Sequence, residues 1–439
     1  MTQSVIDSTK LSPEQRNDLM LRLLKTRQSV MPALQPQTQT HYPPLPGVRN
    51  TLSPYVQHEL QSLDQLIREG KLPPVQAVAL AYWPDELLHK YGLSNKPLAF
   101  QVRPTVACIM ATPWGRIATI VLPRLHSELY VDPTLLDSVV DALQLAGAIG
   151  ASSVSLTGIL PSATAYGNKI ANALVNRPDL PRITTGHAMT AASVVLNINK
   201  IMAEADRPLT HERVAFLGLG SIGGATLRLL LQTSPHPQTI LLCDLFQQTH
   251  HLQAVQTELM TQWGFQGDVQ IVPVQNELPP AVYNATLIVG ATNVPDVLDV
   301  AQLKPGTLLV DDSGPHCFNP TQAISRFTQQ RDILFTEGGA VQLPAPIHQL
   351  YHAPLGFETI FADHEFADPQ TIMGCVLSSL LSSGWAGLPP TVGPVTPEEC
   401  LVYYQTINRL GIQAASLHCG EYRLPTDAIQ QFRQQFSST

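Results

Sequence analysis

Two stretches of this 439-residue sequence combine residue types at spacings that can do chemistry. The first is "ERVAFLGLGSIGGATLRLLL", residues 212–231, an apolar run that turns through Gly218, Gly220 and Gly223 into a helical pattern. Each glycine has its own task. Gly218 permits a tight turn, Gly220 lets the backbone approach a pyrophosphate, and Gly223 allows close helix–strand packing. Ser221 and Ile222 open the helix, whose N-terminus faces the anion. The next apolar run, "TILLCD", ends at Asp244, 21 residues beyond Gly223. A carboxylate there accepts the ribose hydroxyls of NAD and repels the 2′-phosphate of NADP, with His250 and His251 as neighbouring imidazoles that complicate the preference. NAD(H) is therefore favoured over NADP(H).

The second stretch is "DPQTIMGCVLSSLLSSGW", residues 368–385, which sets the thiol of Cys375 in an otherwise apolar helix. A free cysteine there is ordinary core material. Beside a nicotinamide it has another use: a thiolate attacks an acyl thioester, holds the acyl group, and a hydride reduces it to an aldehyde. That chemistry needs a lowered thiol pKa. Pro369 marks the expected helix start, which puts Cys375 nearly two turns in, too deep for full help from the helix dipole. His187, His316 and His364 are the other candidate reactive residues. His187 opens a helix and is an acid–base candidate or an activator of the thiol; a helix-terminal histidine bonded to backbone is the plain alternative.

The elements that must position these residues follow from periodicity. Residues 186–345 alternate strands and helices ("RVAFLG", "TILLCD", "VQIVPV", "TLIVGAT", "TLLVDD", "DILFTEGG"), which predicts a doubly wound parallel sheet binding a dinucleotide. Thr292, in "GATN" at the end of a central strand, and Gly338 and Gly339, after the last strand, border the same crevice. Residues 48–185 read as a mixed α/β substrate domain, with "TVACIMAT" and "RIATIVLP" as a hairpin around "PWG". Residues 346–439 read as a mainly helical segment that returns to the substrate domain with the nucleophile. Residues 1–47 read as a short capped helix over 12–28 and a Pro- and Gln-rich linker.

From about residue 105 to 420 the chain resembles the cyanobacterial long-chain acyl-[acyl-carrier-protein] reductases, which form fatty aldehydes. The resemblance rests on "TTG" at Thr184, Thr185 and Gly186, on the glycine turn, and on Asp311 and Pro315 in "VDDSGP". It also rests on Gly338 and Gly339, and on "IMGCVLSSLLSSGW" around Cys375. "SLTGILPSA" resembles the family's acyl-domain loop at Gly158 and Ser162. The resemblance implies a nucleophilic Cys375, an acyl site using Thr185, Gly186, Thr190, Gly158 and Ser162, and assistance by Mg2+. This chain departs from the pattern in four places: Asp244 replaces a basic residue, His187 a polar one and His316 a lysine, and Met373 stands one residue closer to the cysteine.

Composition narrows the partners. A net charge of −8 and only 14% charged residues argue against a nucleic-acid surface. Six cysteines without CxxC or Cys/His spacing read as reduced cytoplasmic thiols and give no metal site. No apolar run is long enough to span a membrane. The expected substrate is an acyl thioester on acyl carrier protein or coenzyme A, and Arg103, Arg116 and Arg124 are candidates for landing an acidic carrier. The oligomeric state is left open. The rivals are an oxidoreductase like shikimate or methylenetetrahydrofolate dehydrogenase, with no covalent step, and a non-catalytic dinucleotide-binding module of a biosynthetic assembly.

Overall fold

In a computed structural model, residues 55–56, 62–85, 88, 100–275, 277–352, 368–385 and 387–437 are described. They belong to one compact unit, Leu45–Thr439. The expected helix over 12–28, its linker and His364 lie outside the described residues.

The alternating pattern after residue 212 forms a six-stranded sheet. Its spatial order is Ile333–Glu337, Thr307–Asp311, Leu287–Gly290, Arg213–Leu217, Thr239–Leu245 and Asp268–Val274. Every neighbouring pair is parallel. Near-continuous apolar strands such as "RVAFL" and "TLLVD" suit such a sheet, because helices cover both faces. The chain winds outward from Arg213–Leu217 to one edge, then crosses back to Leu287–Gly290 and winds to the other. This is the Rossmann order, with its switch point between those two strands. Register aligns Leu217 with Gly290, Gly290 with Asp311, and Asp311 with Glu337. The residues that end four strands therefore share one edge of the sheet.

A second, seven-stranded mixed sheet precedes it, in the order Tyr55–Val56, His348–His352, Thr105–Thr112, Gly115–Leu125, Ala77–Trp83, Ser153–Leu156 and Arg182–Thr184. The expected hairpin around "PWG" is present, with Thr112 paired to Gly115. His187–Ala205 leads from this sheet to the Rossmann strands. It is buried on nearly every side, which explains why it is apolar all round rather than on one stripe. It packs against the glycine-turn helix Ser221–Thr233, the thiol helix Gly374–Leu380 and the helix Pro397–Arg409. The last of these starts cleanly because Thr396 and Glu399 form a capping box and Pro397 takes the first position.

The segment after 345 departs from the mainly helical expectation. Thr371–Met373 is a strand, paired with Ala340–Gln342, which also pairs with Gln413–Ala414. His418–Cys419 and Tyr422–Arg423 form a further short pair. These strands of two or three residues exist only through partners distant in sequence. The thiol helix packs on the strands Ala77–Trp83 and Ser153–Leu156 of the seven-stranded sheet. Among the described residues, no helix is long and apolar enough to cross a membrane.

Candidate functional site

Where the first Rossmann strand ends, the backbone at Gly218 turns with φ +88°, a conformation that β-carbon sterics make costly for other residues. A β-carbon there would also stand 2.5 Å from the Ala291 carbonyl oxygen of the neighbouring strand end. One on Gly223 would overlap the Gly218 carbonyl oxygen. Gly220 is different. It caps the helix Ser221–Thr233, and its missing β-carbon would meet nothing closer than the Tyr166 hydroxyl, 3.8 Å away. The absence of a side chain at Gly220 thus keeps space open at the helix N-terminus, the cradle a pyrophosphate needs. Asp244 is half-buried, and its carboxylate accepts from the Leu219 N–H at 2.8 Å and the Leu245 N–H at 2.7 Å. His251 reaches the same turn, with Nε2 3.2 Å from the Leu219 carbonyl oxygen. At the central strand end the Thr292 N–H donates to Ser313 Oγ at 3.1 Å.

The thiol lies across this edge. The helix carrying it begins at Gly374, so Cys375 is its second residue and not nearly two turns in. Pro369 belongs to a turn instead: the Asp368 carboxylate accepts from Gln370 N–H, and the Thr371 N–H bonds the Asp368 carbonyl. Gly186 packs directly on the cysteine; with φ +74°, a β-carbon there would come within 3.2 Å of Cys375 Cα and 3.4 Å of its Cβ. On the Rossmann side, the Gly374 N–H donates to the Gly339 carbonyl at 2.8 Å. Cys375 is half-buried, deep in the protein yet with part of its surface open. Burial pushes its thiol up to about 12, and the nearby Asp312 carboxylate adds to the rise, against the backbone N–H groups of Gly158, Val376 and Cys375 itself, which favour the thiolate. The lowered thiol pKa that acyl transfer needs is not what this environment favours: desolvation outweighs the helix terminus.

His187 is the first residue of its helix, and its ring turns to the glycine-turn helix. Nδ1 lies 2.9 Å from Ser221 Oγ, and the ring meets Tyr166 edge to face at 5.8 Å. Burial lowers its imidazole to about 4, so it is neutral at ordinary pH. His187, Ser221 and Tyr166 thus gather above the open side of Gly220. Thr185 and Thr184 are stitched to Thr391, through Thr185 N–H to the Thr391 carbonyl at 2.8 Å and Thr391 N–H to Thr184 Oγ1 at 3.1 Å. Thr190 is buried and its N–H returns to the Gly186 carbonyl. Gly158 directs its N–H at the thiol, whereas Ser162 is exposed. Arg124 is committed to Asp132 and Thr134, Arg116 donates to the Pro74 carbonyl at 2.8 Å, and Arg103 lines a separate cleft of about 620 Å³ with Asp64, Arg68, Asp141 and His352.

Several residues of the site stand in no motif or periodic pattern of the sequence. Asn197, a buried amide in the apolar helix, donates at 2.8 Å to the carbonyls of both Gly338 and Ala340 and so fixes the loop beside the thiol. Tyr166 takes a left-handed φ of +56° to bring its ring over the glycine turn. Asp312 lies against the Gly338–Gly339 loop, and burial, reinforced by Asp311 and Glu337, raises its carboxyl well above the usual range. Asp311, Asp312 and Glu337 lie close enough here for their charges to act on one another. His316 joins them: desolvation lowers its imidazole, but bonds with Asp311 and Cys419 outweigh that and carry it to about 11.

No protein-family model matches this sequence, and no curated protein matches it significantly. Among solved structures, L-tryptophan dehydrogenase from Nostoc punctiforme is similar at 13% identity, over 82% of this chain and 88% of that one, with a TM-score of 0.34. A Thermococcus litoralis Δ1-pyrroline-2-carboxylate reductase, solved with NADH and L-proline, matches at 12% identity and a TM-score of 0.23 over 28% of this chain. This chain spans only 36% of that reductase. The A chain of Bacillus subtilis dipicolinate synthase matches at 15% identity, over 60% of this chain and 88% of that one, with a TM-score of 0.27. At such scores these similarities say nothing about the reaction, and the Rossmann assignment rests on strand order and register.

Proposed function

We propose that this chain is a nicotinamide-dependent oxidoreductase that reduces an acyl thioester to an aldehyde, with the acyl group carried on Cys375. One observation supports this above the others. Half-buried Cys375 packs its Cα and Cβ on Gly186, which precedes the helix His187–Ala205, and is joined through Gly374 to Gly339, just past the last strand of the sheet that bears the glycine turn.

Gly218, Gly220, Ser221, Ile222 and Gly223 would hold the pyrophosphate, with Thr292, Gly338 and Gly339 along the remaining edge. Asp244 favours NADH over NADPH, since its carboxylate has no cation to offer a 2′-phosphate. The bound dinucleotide supplies a hydride. The chain's own part is acyl transfer and proton management. The Cys375 sulfur bonds to the substrate's carbonyl carbon as the bond to the carrier sulfur breaks, and the thiol proton leaves with the carrier. Gly158 and Val376 N–H groups favour negative charge on that sulfur, both as it attacks and when it departs. Burial raises the Asp312 carboxyl, which favours its acid form as the source of the proton that the departing Cys375 sulfur takes up. The carrier is acyl carrier protein or coenzyme A.

A second reading has a specific observation behind it. A thiol held at about 12 is a poor nucleophile at neutral pH, which favours an oxidoreductase that reduces a carbonyl or imine without a covalent step. Incubation with an acyl thioester in the absence of dinucleotide, followed by intact mass, separates the two. An acyl adduct present in the unaltered protein and lost in Cys375→Ser supports the covalent route. Turnover that survives Cys375→Ser selects the second.

A further inference from the structure

We propose that His316, Glu337 and Cys419 bind a first-row transition-metal ion, zinc above all, that ties the last Rossmann strand to the C-terminal segment. This does not depend on the reaction assigned above, because none of the three is needed for dinucleotide binding or acyl transfer as described.

The three residues come from separate parts of the chain: the loop after Thr307–Asp311, the end of Ile333–Glu337, and the short strand His418–Cys419. Their donor atoms nevertheless all lie within 4.8 Å of one another. His316 Nε2 is 3.7 Å from Glu337 Oε1 and 3.8 Å from Cys419 Sγ. Donors that share a tetrahedral zinc ion stand roughly 3.3 to 3.8 Å apart, given metal–ligand bonds of about 2.0 to 2.3 Å. Two of the separations already match.

The orientation of the rings is the second argument. His316 Nδ1 lies 2.9 Å from Asp311 Oδ2, a buried carboxylate that only accepts, so Nδ1 carries the hydrogen. Without metal the ring also holds a proton on Nε2; once that proton is displaced, which metal binding must do, the Nε2 lone pair faces the thiol and Glu337. This is the carboxylate–histidine arrangement that orients metal ligands. His418 repeats it. Its Nδ1 is 2.8 Å from the Ser416 carbonyl oxygen, so the Nε2 lone pair faces outward from that bond, 3.7 Å from Glu337 Oε2. Two imidazole nitrogens thus approach opposite oxygens of one carboxylate, but only His316, Glu337 and Cys419 have donor atoms mutually within 4.8 Å, so a water would complete the tetrahedron. Glu337 is itself positioned by the Gly420 N–H, which donates to Oε1 at 2.6 Å. A thiol, an imidazole and one carboxylate suit zinc and disfavour calcium or magnesium, which take oxygen ligands.

The test uses the full chain, stripped with a chelator, dialysed, and titrated with Zn2+ and separately with Co2+ as a spectroscopic probe. One zinc per chain is expected, together with a near-ultraviolet thiolate-to-cobalt charge-transfer band. Cys419→Ser should lose the band, His316→Ala should lose stoichiometric zinc, and Asp311→Asn should weaken binding by about 10- to 100-fold. Cys375→Ser should bind zinc and show the band as the unaltered protein does, which separates this result from any outcome for acyl transfer. Circular dichroism of Cys419→Ser checks that its fold persists. Zinc uptake no greater than that of Cys419→Ser, or a thiolate band that survives in Cys419→Ser, overturns the proposal.

Discussion

Gly220→Ala is the substitution that best separates a ligand cradle from a merely tight turn. The residue has φ −67°, so alanine adds no left-handed strain. The new methyl would have the Tyr166 hydroxyl as nearest neighbour at 3.8 Å, an ordinary contact. Folding stability should therefore stay within about 0.5 kcal/mol, or rise by about 0.4 to 1 kcal/mol as the unfolded chain loses freedom. The methyl does, however, project into the space at the helix N-terminus. A pyrophosphate pushed outward there loses at least one charge-assisted bond from backbone N–H, worth about 1.5 to 3 kcal/mol. At about 1.4 kcal/mol per tenfold, NADH affinity should fall by roughly 10- to 100-fold. The assay is NADH binding by fluorescence or calorimetry beside thermal unfolding of the same preparations. Gly223→Ala is the contrast: its β-carbon would overlap the Gly218 carbonyl, so stability and binding should fall together. NADH binding by Gly220→Ala as tight as that of the unaltered protein would refute the cradle, whatever its melting temperature.

Two further expectations follow from buried polar groups. Because burial lowers His187 from 6.5 to about 4, the unfolded chain binds an extra proton between these values. Stability should rise as pH increases through that window, by up to about 3 kcal/mol, and His187→Gln should remove this part of the slope in urea unfolding between pH 4 and 7; an unchanged slope contradicts the burial argument. Asn197→Leu should leave the Gly338 and Ala340 carbonyls without their amide donor and cost roughly 2 to 4 kcal/mol in denaturant unfolding. A loss below about 1 kcal/mol would mean that the loop is held by other bonds.

The Rossmann half was readable because its signals are local. The glycine spacing, the apolar strands and Asp244 all lie within one continuous stretch, and each residue's task depends on its immediate neighbours. The thiol's neighbourhood was only half readable. Gly186, Gly158 and the Gly338–Gly339 loop do converge on Cys375, but the helix start was misplaced. In "DPQT" the aspartate closes a turn over the following residues, so Pro369 stiffens that turn and the helix waits until Gly374. The two- and three-residue strands of the C-terminal segment are too short for any periodicity, and their pairing partners lie far away in sequence. Desolvation is equally invisible in one dimension, which is why the sequence asks for an activated thiol and the fold raises its pKa. The same holds for His316, Glu337 and Cys419, whose separations in sequence match no metal-binding spacing.

Cys375 decides between acyl transfer and simple carbonyl reduction, and one measurement addresses it directly. Protein acylated by a thioester is freed of excess substrate and then mixed with NADH in a single turnover. The covalent route requires one aldehyde released per acyl group lost, one NADH oxidised, and a Cys375 thiol regenerated at its original mass. An adduct that stays on the sulfur while NADH remains unoxidised, or aldehyde formed with no adduct ever present, contradicts it.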